Sequence, residues 1–272
     1  MLITALFACK PPIEAPAEIG ELTLYMVENF DGTGDDGAEA LPAAALSLEN
    51  WLVTLPLSLD DDVDDRAVTP PSLPESRLGD LDVPGSFDEE AQVPVAVAGE
   101  VGDDMDTQLE LMLDQNQVCI ASGTTVYHAQ TFDTDEACFA DGSCDTLETS
   151  HEIEIDSLNN VWLDMKRDYR WVELEDGRKA VVAVSWLPNQ ASAYDGDGTW
   201  DQRYDLIFWL PSEDGSTVLR FYSMWSSVTL TGVTDDFYAT TVKNGLDEHL
   251  GNTVSFAAGE VCDDRDNEYT RE

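Results

Sequence analysis

Carboxylates are the commonest reactive groups in this chain: 56 of its 272 residues are Asp or Glu. Paired acids, the equipment of glycosidic acid–base chemistry, therefore arise freely along it. The run His151-Glu152-Ile153-Glu154-Ile155-Asp156 puts Glu152, Glu154 and Asp156 on one face of a strand, where like charges raise one another's pKa. The competing reading is a solvated acidic face of an edge strand, and the abundance of acids favours it. A second run, Tyr194 to Asp201, sets Asp195, Asp197 and Thr199 at alternate positions ahead of Asp201, as oxygen ligands for calcium often are. It departs from the EF-hand pattern, with Trp200 where the turn glycine belongs and Leu206 where the bidentate glutamate belongs. A turn between two strands accounts for its glycines equally well. The third candidate is the basic cluster Lys166-Arg167-Asp168-Tyr169-Arg170, flanked by Trp162 and Trp171. It reads as pairing with an acidic neighbouring strand, or as a contact for a small anion or glycan. The three histidines, His128, His151 and His249, are far apart in sequence and read as structural. No P-loop, dinucleotide fingerprint, nucleophile elbow or H-E-x-x-H motif is present, so no catalytic residue is assigned and calcium is the one candidate cofactor.

Cysteine supplies the remaining chemistry. Leu6-Phe7-Ala8-Cys9 closes a short apolar run and is followed by Lys10-Pro11-Pro12. These residues resemble a bacterial lipobox, with Ala8 as the small residue before the cut and Cys9 as the acylated thiol. The resemblance implies a lipoprotein, acylated (as with palmitate) and held in the cell envelope; Lys10, where Asp would favour the inner membrane, implies the outer membrane. Residues 1–9 are then a truncated signal peptide, since no basic residue precedes Lys10 and a signal peptide has a basic n-region. Residues 10–18, rich in Pro, form a tether. The chain is also similar, in general style, to acidic lipoproteins of predatory or marine bacteria, a likeness that transfers no residue roles. With Cys9 lipidated, four cysteines remain, which in an exported chain read as two disulfides with three possible connectivities. Cys138 and Cys144 are the natural local pair around the Asp141-Gly142 turn, which leaves Cys119 with Cys262. A metal site is the rival, without a C-x-x-C pair or adjacent His to support it.

Charge limits the partners. Thirteen basic residues give a formal net charge of −43. Such a surface repels phosphate backbones and anionic head groups, which argues against nucleic acid and leaves the lipid as the route to the membrane. It suits solubility or a saline habitat. A protein or glycan partner stays open.

The elements that must position these groups follow from periodicity. Ile19, Leu22, Met26 and Phe30 share a helical face, as do Leu41, Ala44, Ala45, Leu48, Trp51 and Leu52, predicting a helical hairpin. Residues 60–90 are acidic and Pro-rich, predicting an irregular, partly mobile excursion within a single domain of residues 19–272. Thr107 to Glu110 has capping-box spacing and opens a short helix, with a strand over Leu109–Val118 as the equal alternative. Strands are predicted at Gln92–Val101, Thr124–Thr131, His151–Asp156, Val161–Lys166, Tyr169–Leu174, Lys179–Leu187, Arg203–Leu210 and Thr217–Val228. Asp176-Gly177 and Asp214-Gly215 mark hairpin turns. Val181–Trp186 and Leu206–Trp209 are apolar on both faces, so both faces of the sheet must be covered. A last helix carries Phe237, Val242, Leu246, His249 and Leu250. The predicted fold is α+β, an antiparallel meander packed against the N-terminal hairpin and a C-terminal helix. Three functions follow. The first is a lipid-anchored, non-catalytic envelope protein with a binding or structural role. The second is a carrier of a small apolar ligand in a helix-covered sheet cavity. The third is an exported carboxylate- or calcium-dependent hydrolase.

Overall fold

The computed structural model describes residues 12–33, 36–157, 160–194, 196, 198–260, 262 and 267–271. The helices are α1 (Ile19–Glu28), α2 (Ala40–Leu52), α3 (Val63–Arg66), α4 (Met105–Leu113), α5 (Glu136–Ala140) and α6 (Asp235–Ala257). The strands are β1 (Ala67–Val68), β2 (Val93–Glu100), β3 (Thr125–Phe132), β4 (Thr146–Asp156), β5 (Asn160–Glu173), β6 (Lys179–Trp186), β7 (Ala191–Ser192), β8 (Gly198–Pro211) and β9 (Val218–Leu230). They form one antiparallel sheet in the order β1-β2-β9-β8-β6-β5-β4-β3, with β7 paired to β8. The α+β meander with N-terminal helices and a C-terminal helix is thus present.

Each face of the sheet has its own core. Leu22, Met26, Leu48 and Leu52 of α1 and α2 pack against Val182, Val184, Leu206, Phe208 and Trp225. On the opposite face, Tyr238, Val242, Leu246 and Leu250 of α6 meet Tyr169, Ile207, Trp209 and Tyr222. Burial on both faces is what the doubly apolar strands require. The stripe of α6 runs at steps of four through Tyr238, and Phe237, predicted as part of it, is 53% exposed because it lies one residue off that line. Thr234 caps α6, its side chain accepting from the Phe237 N–H at 3.3 Å. Fully buried Arg66 pins α6 over β2, donating to the Ala98 carbonyl at 2.9 Å and to Asp247 at 2.7 Å. Gly99 permits this approach, since a Cβ there would lie 2.6 Å from Leu59 and 3.1 Å from Leu250.

Several local expectations change. The two strands predicted on either side of Arg167-Asp168 are one 14-residue strand, β5, because pairing with β4 and β6 carries the ladder through the charged residues. Helix α4 is capped by Asp104, not Thr107: the Asp104 carboxylate accepts from the Thr107 N–H at 3.0 Å. Within residues 60–90, Leu73 and Leu78 are buried, and the Trp225 indole N–H donates to the Pro71 carbonyl at 2.8 Å. The four cysteines pair as Cys119–Cys262 and Cys138–Cys144, with Cα separations of 5.4 and 5.2 Å. Among the described residues no helix is long and apolar enough to cross a membrane.

Candidate functional site

A cavity of about 150 Å³ lies between α6 and the inner face of the sheet. Its walls are partly apolar, with Met112, Ile153, Ile155, Trp200, Trp209, Met224 and Leu246, and its far end is polar. Ser122, Thr124, Ser157, Leu230 and Thr241 form a rim that reaches solvent.

Strand alternation builds the polar end. The register sets Met224, Asp205, Ser185, Arg167 and Thr149 opposite one another, in one row across β9, β8, β6, β5 and β4. In the row where Trp209 faces Arg220, the Arg220 guanidinium lies over the Trp209 ring at 4.8 Å. A β-bulge in β8 between Trp200 and Gln202 resets the alternation, so Trp200 and Arg203 both line the cavity, with Arg203 5.8 Å from the Trp200 ring centre.

Three guanidiniums converge here, and all three are at least nine-tenths buried. Arg203 makes a forked contact with fully buried Asp205, at 3.0 Å from Nε and 3.0 Å from its terminal nitrogen. The Tyr222 hydroxyl donates to the same carboxylate at 3.3 Å. Arg167 has neutral partners, the Ser185 hydroxyl at 2.7 Å and the Tyr169 hydroxyl at 3.3 Å. Arg220 faces the Thr253 hydroxyl at 3.1 Å and the His249 ring at 2.8 Å, and its Nε is buried without a partner. Burial pushes the Arg220 guanidinium down to about 10, so it remains a cation at neutral pH.

The histidines that look isolated in sequence are neighbours in space. His128 Nε2 lies 3.0 Å from His151 Nδ1, and His151 Nε2 lies 2.8 Å from the Thr149 hydroxyl. That hydroxyl donates its only proton to the Arg167 carbonyl at 2.9 Å. It must therefore accept from His151 Nε2–H, which leaves Nδ1 to accept from His128 Nε2–H. Both rings are neutral in this chain of bonds. Burial, then the charge of Arg167, holds both well below the ordinary histidine range. His249 is held down likewise, by burial and Arg220.

A pH dependence follows. Below about pH 6.5 the unfolded chain protonates His128, His151 and His249 while the folded chain does not, so stability is complete above that pH and falls beneath it. Asp168, raised to about 6 by burial and then by Glu148, acts oppositely and offsets part of the loss. The net expected loss between pH 6.5 and 5.5 is about 2 kcal/mol. Urea midpoints at the two pH values measure it, and His128→Gln/His151→Gln should reduce the slope, leaving the part that His249 supplies. A wild-type profile already flat in that window would refute the neutral pair.

The residues singled out from sequence are scattered by the fold. Of Lys166, Arg167 and Arg170, only Arg167 enters the cavity, because successive strand residues point to opposite faces. Lys166 pairs with Asp133 at 3.0 Å, and Arg170 donates to the Asp31 carbonyl at 2.8 Å. Trp171 stacks on Phe139 and donates to its carbonyl at 3.0 Å. Trp162 packs against Tyr127 and Tyr269. Glu154 is buried, contacted by the hydroxyls of Tyr194 and of Thr270. Strand β4 is not an edge, since β3 covers it, but Glu152 and Asp156 on that face are exposed, as the solvated reading has them. Asp201 is the bulge residue of β8, and its carboxylate accepts from Thr199 at 2.9 Å, Thr229 at 2.8 Å and Gln190. Asp195, Asp197 and Cys9 lie outside the described residues. Among the described residues no group of three His, Cys, Asp or Glu side chains is placed to hold a metal. Arg203, Asp205, Arg220 and Tyr222 were not singled out. Their signal was a charge inside a strand apolar on both faces, which must point at something polar.

No family model and no curated protein matches the chain. Among solved structures it is similar to a STAR-related lipid transfer protein from Xanthomonas axonopodis, with 14% identity and a TM-score of 0.41 over 61% of this chain and 85% of that one. It is also similar to a START superfamily protein from Mycobacterium smegmatis, with 10% identity and a TM-score of 0.38 over 61% and 97%. Likeness at this level carries nothing about ligand or activity.

Proposed function

We propose that this chain is a binding protein that carries a small ligand in the cavity beneath α6. The observation that carries the reading is the cavity itself. About 150 Å³ of open space beneath a helix in an otherwise double-cored fold is room for an occupant, whose apolar part would make packing contacts there. The size suits a single ring or a short chain, and the split walls suit a molecule with one apolar and one polar end. The reading keeps Cys9 as the acyl anchor and the bacterial envelope as the place of action, supported by the lipobox residues and by the two disulfides. One experiment addresses both parts. Native mass spectrometry of the protein recovered from its host's membranes should show a bound small molecule on the domain and acyl chains on Cys9, the latter lost in Cys9→Ser. A domain of bare polypeptide mass with an unmodified thiol would refute the carrier and the anchor together.

A further inference from the structure

The polar end of the cavity is electrostatically incomplete. Arg167, Arg203 and Arg220 line it, and no acidic residue among the described ones does. Asp205, behind the wall, pairs directly with Arg203 and lies close enough to favour the charge on Arg167 as well. In a chain of 13 basic and 56 acidic residues, three guanidiniums have been gathered where carboxylates are scarce. Burying a cation against neutral partners costs several kcal/mol, and Arg220, held by Thr253 and His249, is in that position; Arg167 has only neutral hydrogen-bond partners beside it. The unpartnered Nε of Arg220, a residue 2% exposed, is a donor awaiting an acceptor. Around it, the rings of Trp209 and Tyr222 hold the guanidinium at 4.8 and 5.5 Å, a pre-set geometry for receiving an oxyanion.

We propose that the cavity takes an organic oxyanion with a compact apolar body, its carboxylate or phosphate group received by Arg220 and Arg167 and its body lying against Trp200, Met224 and Leu246. The inference rests on the carrier reading and gives it a ligand class. The outer surface repels anions, so selection happens inside, where the sign of the charge reverses. Neutral molecules of the same shape leave the guanidiniums uncompensated and bind less tightly.

The test uses the full chain and measures thermal stabilisation and calorimetric binding of benzoate and phenyl phosphate against benzamide and benzyl alcohol, at constant ionic strength. The expected result is binding of at least one anion tenfold or more tighter than its neutral counterpart, with no shift from sodium chloride or inorganic phosphate alone. Arg220→Met should weaken that anion at least tenfold while leaving the melting temperature of the ligand-free protein unchanged or higher, since it removes an uncompensated charge. A merely structural arginine would instead lower it. Should Arg220→Met fail to fold, Arg167→Gln provides the same comparison. Equal affinity for anion and neutral isostere would overturn the charge assignment and leave the carrier reading standing. Binding of none of the four would overturn both, and a response to inorganic anions alone would reduce the site to an adventitious ion position.

Discussion

Asp205→Ala should destabilise the protein by about 3–5 kcal/mol, because it strips the one carboxylate from a buried guanidinium. Asp205 is fully buried and holds Arg203 in a forked contact while accepting from Tyr222. Its loss leaves Arg203, Arg167 and Arg220 enclosed without a counter-charge among the described residues. Asp205→Asn keeps the shape and should cost nearly as much, which separates charge from packing. The double variant Arg203→Met/Asp205→Leu removes both charges and should lie within about 1–2 kcal/mol of wild type. Urea unfolding of the three variants measures the series. A single-variant cost below about 1 kcal/mol would show that Arg203 is compensated by something other than Asp205. The prediction bears on function because Arg203 shapes the cavity wall beside Trp200.

The second large effect concerns the disulfide that closes the longest loop. Cys119–Cys262 spans 143 residues, and the chain-entropy model gives such a loop about 5 kcal/mol of stabilisation. Cys138–Cys144 spans six, worth about 2 kcal/mol by the same relation. Cys119→Ala/Cys262→Ala should therefore lower stability more than Cys138→Ala/Cys144→Ala, by about 3 kcal/mol. The long bridge also joins the segment bearing Ile120 and Ala121, both in the cavity wall, to the chain beyond α6. Its removal should loosen the rim, so amide exchange in residues 117–125 should quicken in the long-bridge variant only. If the two double variants lost equal stability, loop length would not govern either bridge.

Much of the architecture was legible because it rests on short-range periodicity. The near-continuous apolar runs Val181–Trp186 of β6 and Leu206–Trp209 of β8 declare strands buried on both faces, and that burial demands helical cover. The stripes of α1 and α2 appear at helical spacing within a few turns. Cysteine parity yielded the two pairings, since a tight turn selects Cys138 with Cys144. The candidate site was barely legible. A basic cluster contiguous in sequence becomes three separate contacts on two faces of β5, because the strand period is two. The bulge at Asp201, which turns Trp200 and Arg203 to the same wall, depends on hydrogen bonds from Gln190 and Thr229, remote in the chain.

By itself, then, the sequence determined the class of fold, the cover on both sheet faces, the two bridges and the sign of the outer charge. These are properties of neighbouring residues and of composition. Tertiary structure alone decided that Arg167, Arg203 and Arg220 share one cavity with His128 and His249. Their meeting depends on the order and register of five strands and on the seat of α6. Those are set by long-range packing, which no local spacing encodes. A positive interior inside a strongly negative molecule is a consequence of that packing.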